Sequence, residues 1–87
     1  SFEGQYGELM IDKPTVSIGR KDVNYYVLNH PTVSGEHAEI VFKDGDYWVN
    51  DLNSSNGTKI NGRNIKNQKL NHSDIIQFGE IELTFLK

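Results

Sequence analysis

Apolar residues along this chain recur mostly at every second position. Ala38, Ile40 and Phe42 fall on one face of AEIVFK, and Ile81, Leu83 and Phe85 on one face of EIELTFL. A β-strand imposes this alternation by pointing successive side chains to opposite sides. No window of a dozen residues sustains the i, i+3, i+4, i+7 stripe of an amphipathic helix, and turn-forming residues interrupt each candidate before three helical turns could form. The pattern predicts almost no helix. Asp44-Gly45 separates AEIVFK from DYWVND, and Asn61-Gly62 separates TKI from RNI; both dipeptides tolerate the positive φ of a type I′ hairpin turn. An earlier hairpin is expected to turn at DKP, residues 12 to 14, joining GELMI to TVSIG, since Pro14 fixes φ and offers no ladder donor. YYVL, HAEIVFK, DYWVND, TKI, RNI, DIIQF and EIELTFL complete a series of short, closely spaced strands. Such a series suggests a sandwich or a barrel. A sandwich gathers its loops at the two ends of its sheets, so loops distant in sequence can meet in space.

Length bounds this picture to one domain, residues 1–87, at 9.9 kDa, and the abrupt start at Ser1 suggests a module of a longer protein. The chain has no cysteine, which removes disulfides, thiolate catalysis and cysteine-type zinc sites and suits a reducing, cytoplasmic setting. No apolar run approaches the roughly 20 residues that a membrane helix needs, so no membrane partner is expected. Twelve acidic against nine basic side chains give a net charge of −3, without the broad positive field of a nucleic-acid binder. Any anion site must therefore be local. The nine asparagines concentrate in the expected turns, where their side chains bond nearby backbone.

Three polar clusters sit at strand ends: IGRK at 18 to 21, SGEH at 34 to 37, and DLNSSNGTKING at 51 to 62. Arg20 carries a permanent cation on a fork of donors that fits a phosphate, although its position equally suits an exposed or salt-bridged surface arginine. Ser34 and His37 raise the question of a nucleophile and base, with Asp51 as an orienting carboxylate. Against catalysis, Ser34 lacks the Gly-x-Ser-x-Gly setting of a nucleophile elbow, and the chain offers little material for a substrate cleft. The alternative is a buried His37 whose ring nitrogens tie adjacent loops together. His30, His37 and His72 match no compact metal-ligand spacing, and no metal or cofactor is expected. Asn56-Gly57 is a turn signal first, yet Ser54, Ser55 and Asn56 add hydroxyl and amide groups able to cradle an anion or hold a peptide backbone.

Taken together, IGR (18 to 20), VSGEHAEI (33 to 40), DLNSSNGTKING (51 to 62) and LNHSDIIQFG (70 to 79) resemble, in order, the motifs of the forkhead-associated (FHA) domain. The resemblance implies an all-β fold, a β-sandwich of two antiparallel sheets of the SMAD/FHA-like kind with little or no helix. It also implies a non-catalytic module that reads phosphothreonine in a partner protein through loops at one end of the sandwich. Carried over by position, Arg20 would pair with the phosphate, Ser34 would donate its hydroxyl to a phosphate oxygen, and Ser55 and Asn56 would engage the phosphoresidue and the peptide backbone. Gly19, His37 and Gly57 would be architectural, and Asn61, with Gly62, would shape a neighbouring turn. Lys59 and Arg63 would add positive potential if they lie on the binding face. One departure stands out: the position after Ser34, which often contacts ligand in this family, is Gly35, able to contribute only backbone, and acidic Glu36 follows it. The alternative is therefore a phosphorylation-independent assembly module on the same fold. In either reading the isolated domain is expected to be monomeric.

Overall fold

The computed structural model describes residues 1–5 and 7–87. Eleven strands run in chain order: β1 (Phe2–Gly4), β2 (Gly7–Leu9), β3 (Thr15–Gly19), β4 (Tyr26–Val27), β5 (Ala38–Lys43), β6 (Asp46–Asp51), β7 (Thr58–Ile60), β8 (Arg63–Ile65), β9 (Asn67–Lys69), β10 (Ile75–Phe78) and β11 (Ile81–Phe85). Among the described residues there is no helix. One sheet has the order β2-β1-β11-β10-β7-β8 and the other β4-β3-β5-β6-β9. Neighbouring strands pair antiparallel except β3 and β4, which meet in a short parallel pair, Ile18 against Tyr26 and Gly19 against Val27.

Alternation builds the core. Val16 and Ile18 of β3, Ala38 and Ile40 of β5, Ile76 and Phe78 of β10, and Ile81, Leu83 and Phe85 of β11 are all buried. The ring of Phe2 lies 5.4 Å from that of Phe85 and 6.4 Å, edge-on, from that of Phe78. Each buried valine, isoleucine, leucine or phenylalanine among them stabilises the fold by about 1.5 to 3 kcal/mol through area removed from water. Phe42 departs from the expected pattern. It lies on the in-facing register of Ala38 and Ile40, but β5 has by then run past the edge of the sandwich, so Phe42 is 46% exposed and packs on Tyr47 at 4.7 Å.

Both expected type I′ hairpins form: Asp44 and Gly45 have φ of 54° and 82°, and Asn61 and Gly62 have φ of 50° and 84°. The hairpin expected at residues 12 to 14 does not. Both sides of β3 are occupied, by β5 and by β4, so β2 finds no edge there and pairs with β1 in the opposite sheet. Residues 10 to 14 instead cross between the sheets, and the Pro14 carbonyl accepts from Phe42 N at 2.8 Å. Strand β9 has no apolar alternation to announce it, since its sequence is NQK; it forms because its backbone completes the ladder on β6.

The register fixes which loops meet. Ile18 pairs with Ala38, and Ala38 with Asp51, so β3 ends, β5 begins and β6 ends at one edge of the second sheet. Thr58, the first residue of β7 in the other sheet, reaches the same edge, where its Oγ1 donates to Asp51 Oδ1 at 2.8 Å. Segments 20 to 25, 28 to 37 and 52 to 57 therefore emerge together.

Candidate functional site

At this end of the sandwich the loops are bonded to one another mainly through backbone groups. Arg20 N donates to Ser34 O at 2.9 Å and Lys21 N to Gly35 O at 3.1 Å, two bonds that tie the loop leaving β3 to the loop entering β5. Gly19 permits the approach, because a Cβ there would stand 2.3 Å from Gly35 O and 2.6 Å from Asn24 Nδ2. Asn24 is itself buried, and its amide donates to Lys21 O at 2.8 Å and Gly35 O at 2.6 Å. Asn24 does not stand out in the sequence. Among nine asparagines, nothing in its neighbours distinguishes a clamp from an ordinary turn residue.

His37 is fully buried and edge-on to Phe78 at 5.7 Å. Its Nε2 faces the Gly57 carbonyl at 2.9 Å, and its Nδ1 accepts from Ser34 N at 3.0 Å. A carbonyl only accepts and a backbone N–H only donates, so the ring must be the neutral tautomer with its proton on Nε2. Burial pushes the His37 pKa below its ordinary value, with smaller opposing contributions from the Gly57 carbonyl and the Asp51 charge. Neither nitrogen faces the Ser34 hydroxyl. That oxygen instead accepts from Ser55 N at 2.9 Å, which leaves its own proton uncommitted among the described residues.

Asp51 does not orient His37 either. Its side chain is 1% exposed and organises the following loop: Oδ1 accepts from the Ser54 and Thr58 hydroxyls, Oδ2 accepts from Ser54 N at 3.2 Å, and Lys66 Nζ stands 3.7 Å away. Burial alone would raise the Asp51 pKa; the bonds from Ser54 and Thr58, with the Lys66 charge, outweigh it and hold the carboxyl below its ordinary value. The 53 to 57 loop is further fixed by Asn56 Nδ2, which donates to Thr32 O at 2.8 Å, and by Gly57 at φ 82°. Asn56 keeps a second N–H and its carbonyl oxygen for other partners.

Arg20, Ser34, Gly35, Ser55 and Asn56 thus lie on three mutually bonded loops, with Gly19, His37 and Gly57 beneath them. Arg20, Ser55 and Asn56 are exposed, while Ser34 and Gly35 are half-buried. Among the described residues, no carboxylate pairs with Arg20. Asn61 lies elsewhere, at the far end of β7, where its side chain ties the β7–β8 turn to Asp74 and Ile75 N. Arg63 is at that far end too, and Lys59 stands mid-strand between Asn64 and Gln77.

These features define a class: a β-sandwich whose loops at one end present a guanidinium, a serine hydroxyl and an asparagine amide on a rigid backbone frame. The FHA domain model matches residues 16–79, and the chain belongs to that family. An oxoglutarate dehydrogenase inhibitor from Corynebacterium efficiens is 38% identical over 77 residues, 88% of this chain and 54% of its own length. The glycogen accumulation regulator GarA of Mycolicibacterium smegmatis is 36% identical over 88% of this chain and 49% of its own. The chain spans about half the length of these relatives. Among solved structures, one from work on phosphothreonine-dependent FHA domain interactions superposes with a TM-score of 0.88 at 27% identity, covering 95% of this chain and 90% of that one.

Proposed function

We propose that this chain is a non-catalytic reader of phosphothreonine, taking the phosphorylated segment of a partner protein across the three loops. Arg20 supplies the charge, the Ser34 hydroxyl donates to a phosphate oxygen, and Ser55 and Asn56 hold the residue and its backbone. The observation that carries this reading is the state of Ser34: its oxygen is satisfied by Ser55 N, its proton is available, and the unpaired Arg20 is bonded to it through the backbone. The same geometry argues against a Ser34–His37 hydrolase, because the His37 imidazole has both nitrogens committed to backbone and no lone pair for the hydroxyl proton. A phosphate with about −1.5 to −2 charges accepts charge-assisted bonds of roughly 1.5 to 3 kcal/mol each. Ordering an extended peptide and desolvating its polar groups oppose them, which keeps the expected affinity moderate. A small apolar contact for the threonine methyl, worth about 0.8 kcal/mol, would favour threonine over serine.

The test is calorimetric titration against a degenerate phosphothreonine peptide library, with the unphosphorylated library as control. Phosphate-dependent binding supports the reading and yields the sequence preference. Equal binding of both libraries would replace it with phosphorylation-independent assembly. A cytoplasmic setting fits the cysteine-free composition.

A further inference from the structure

Lys21 lies across Gly35. A Cβ built on Gly35 would meet Lys21 Cγ and Cδ at 3.1 Å and Cε at 2.8 Å, so three successive methylenes run through the space that a side chain at position 35 would fill. The ammonium is one bond further on. Its backbone is equally constrained, with Lys21 N donating to Gly35 O and Asn24 clamping both Lys21 O and Gly35 O. A free lysine loses up to about 2 kcal/mol of rotamer entropy when ordered, and a stem already laid on a glycine backbone has part of that restriction in place before any ligand arrives. Asp22 and Glu36 flank the segment and are exposed, yet among the described residues neither pairs with Lys21. The neighbouring backbone bonds, Arg20 N to Ser34 O and Lys21 N to Gly35 O, hold these two residues, neither paired with a carboxylate among the described residues, against the loop that carries the Ser34 hydroxyl.

We propose that Lys21 is the second cation of the phosphate site and that Gly35 is the residue that seats it. This inference rests on the phosphothreonine reading. The ammonium is a point charge with three rotatable donors, suited to a phosphate oxygen that the planar Arg20 fork leaves unbonded. It also offsets the repulsion that Glu36 exerts on a dianion. Gly35 is then more than an absent contact: any side chain there must displace the lysine stem.

The experiment titrates a phosphothreonine peptide selected from the library, and its unphosphorylated counterpart, into the wild-type chain and into Lys21→Met, Arg20→Ala and Arg63→Met, with thermal melts to verify folding. Lys21→Met keeps the stem and removes the charge, and is expected to weaken binding about ten- to thirty-fold, the scale of one partly exposed charge-assisted bond. Arg63→Met removes the same charge at the far end of β7 and is expected to stay within about twofold, since separations beyond the Debye length of ~8 to 10 Å are screened. A double-mutant cycle supplies the geometric arm: Gly35→Ala weakens binding when Lys21 is present and has little effect in a Lys21→Ala background. Phosphate-dependent, Arg20-dependent binding that Lys21→Met leaves within twofold would overturn this inference alone. Equal losses from Lys21→Met and Arg63→Met would reduce the effect to net charge and also overturn it. Absence of any phosphate-dependent binding by the wild-type chain would overturn the underlying reading and this inference with it.

Discussion

A methyl group at position 19 would press within 2.3 Å of the Gly35 carbonyl oxygen, so the meeting of the first two loops depends on the absence of a side chain there. Gly19→Ala is expected to destabilise the fold by about 1 to 3 kcal/mol and to weaken phosphopeptide binding further, because the frame that moves is the one carrying Arg20 and Ser34. Chemical denaturation and titration of the same variant check the two effects. Arg20→Ala should behave oppositely. Its side chain is exposed and unpaired, so its melting temperature should match wild type while affinity falls by roughly 2 to 5 kcal/mol if the charge pair is desolvated. Unchanged affinity in a titration of that variant would remove Arg20 from the mechanism. Arg20, Ser34, Ser55 and Asn56 stood out as polar groups at strand ends, and the phosphate-binding roles proposed for them come from the order of the family motifs. Asn24 was not readable, since its importance lies in two carbonyls that only the folded loops bring to it.

At the scale of single elements, the 52 to 57 loop takes its shape from Asp51, one nearly fully buried carboxylate accepting three hydrogen bonds. Its folded pKa is depressed, so the stabilisation it provides is complete above the unfolded value of 3.8 and is lost as pH falls through the folded one. Asp51→Asn should therefore lower stability near neutral pH by about 1 to 3 kcal/mol and flatten the unfolding profile below about pH 4, as thermal melts in acidic buffers would record. Strands with alternating apolar residues were legible one by one, as were the Asp44-Gly45 and Asn61-Gly62 turns. Strands β1, β2 and β9 were not legible as placed: β7 and β8 are equally short but are announced by the Asn61-Gly62 turn between them, whereas the place of these three depends on the edge each finds.

For the whole molecule, two protonations act in the same direction on the acid side, and their order separates them. His37 has a depressed folded pKa, and protonating Nδ1 would set a donor against the Ser34 N–H. The unfolded chain then binds more protons below about pH 6.5, so the stability associated with His37 is full above that value and declines as pH falls below it. Melts of the unliganded protein from pH 8 to 5 should show this decline, and the His37 ring resonances should not titrate with a midpoint near 6.5. The ligand supplies a separate change: phosphate loses its second charge near about pH 6, so affinity should weaken between pH 7 and 5 while the domain remains folded. A flat affinity profile over that range would argue against recognition of the dianion.

By itself, the sequence determined the strand-rich class, two of the hairpins, the apolar faces of the central strands and the groups able to meet a phosphate. Each of these follows from local rules, alternation, turn conformation and side-chain chemistry, that act within a few residues. Tertiary structure alone decided that residues 10 to 14 cross between sheets, that β4 runs parallel to β3, that His37 bonds backbone instead of the Ser34 hydroxyl, and that Lys21 covers Gly35. Those outcomes depend on which strand edges remain unoccupied and which buried polar groups still need partners, and both are settled only when segments distant in the chain pack together.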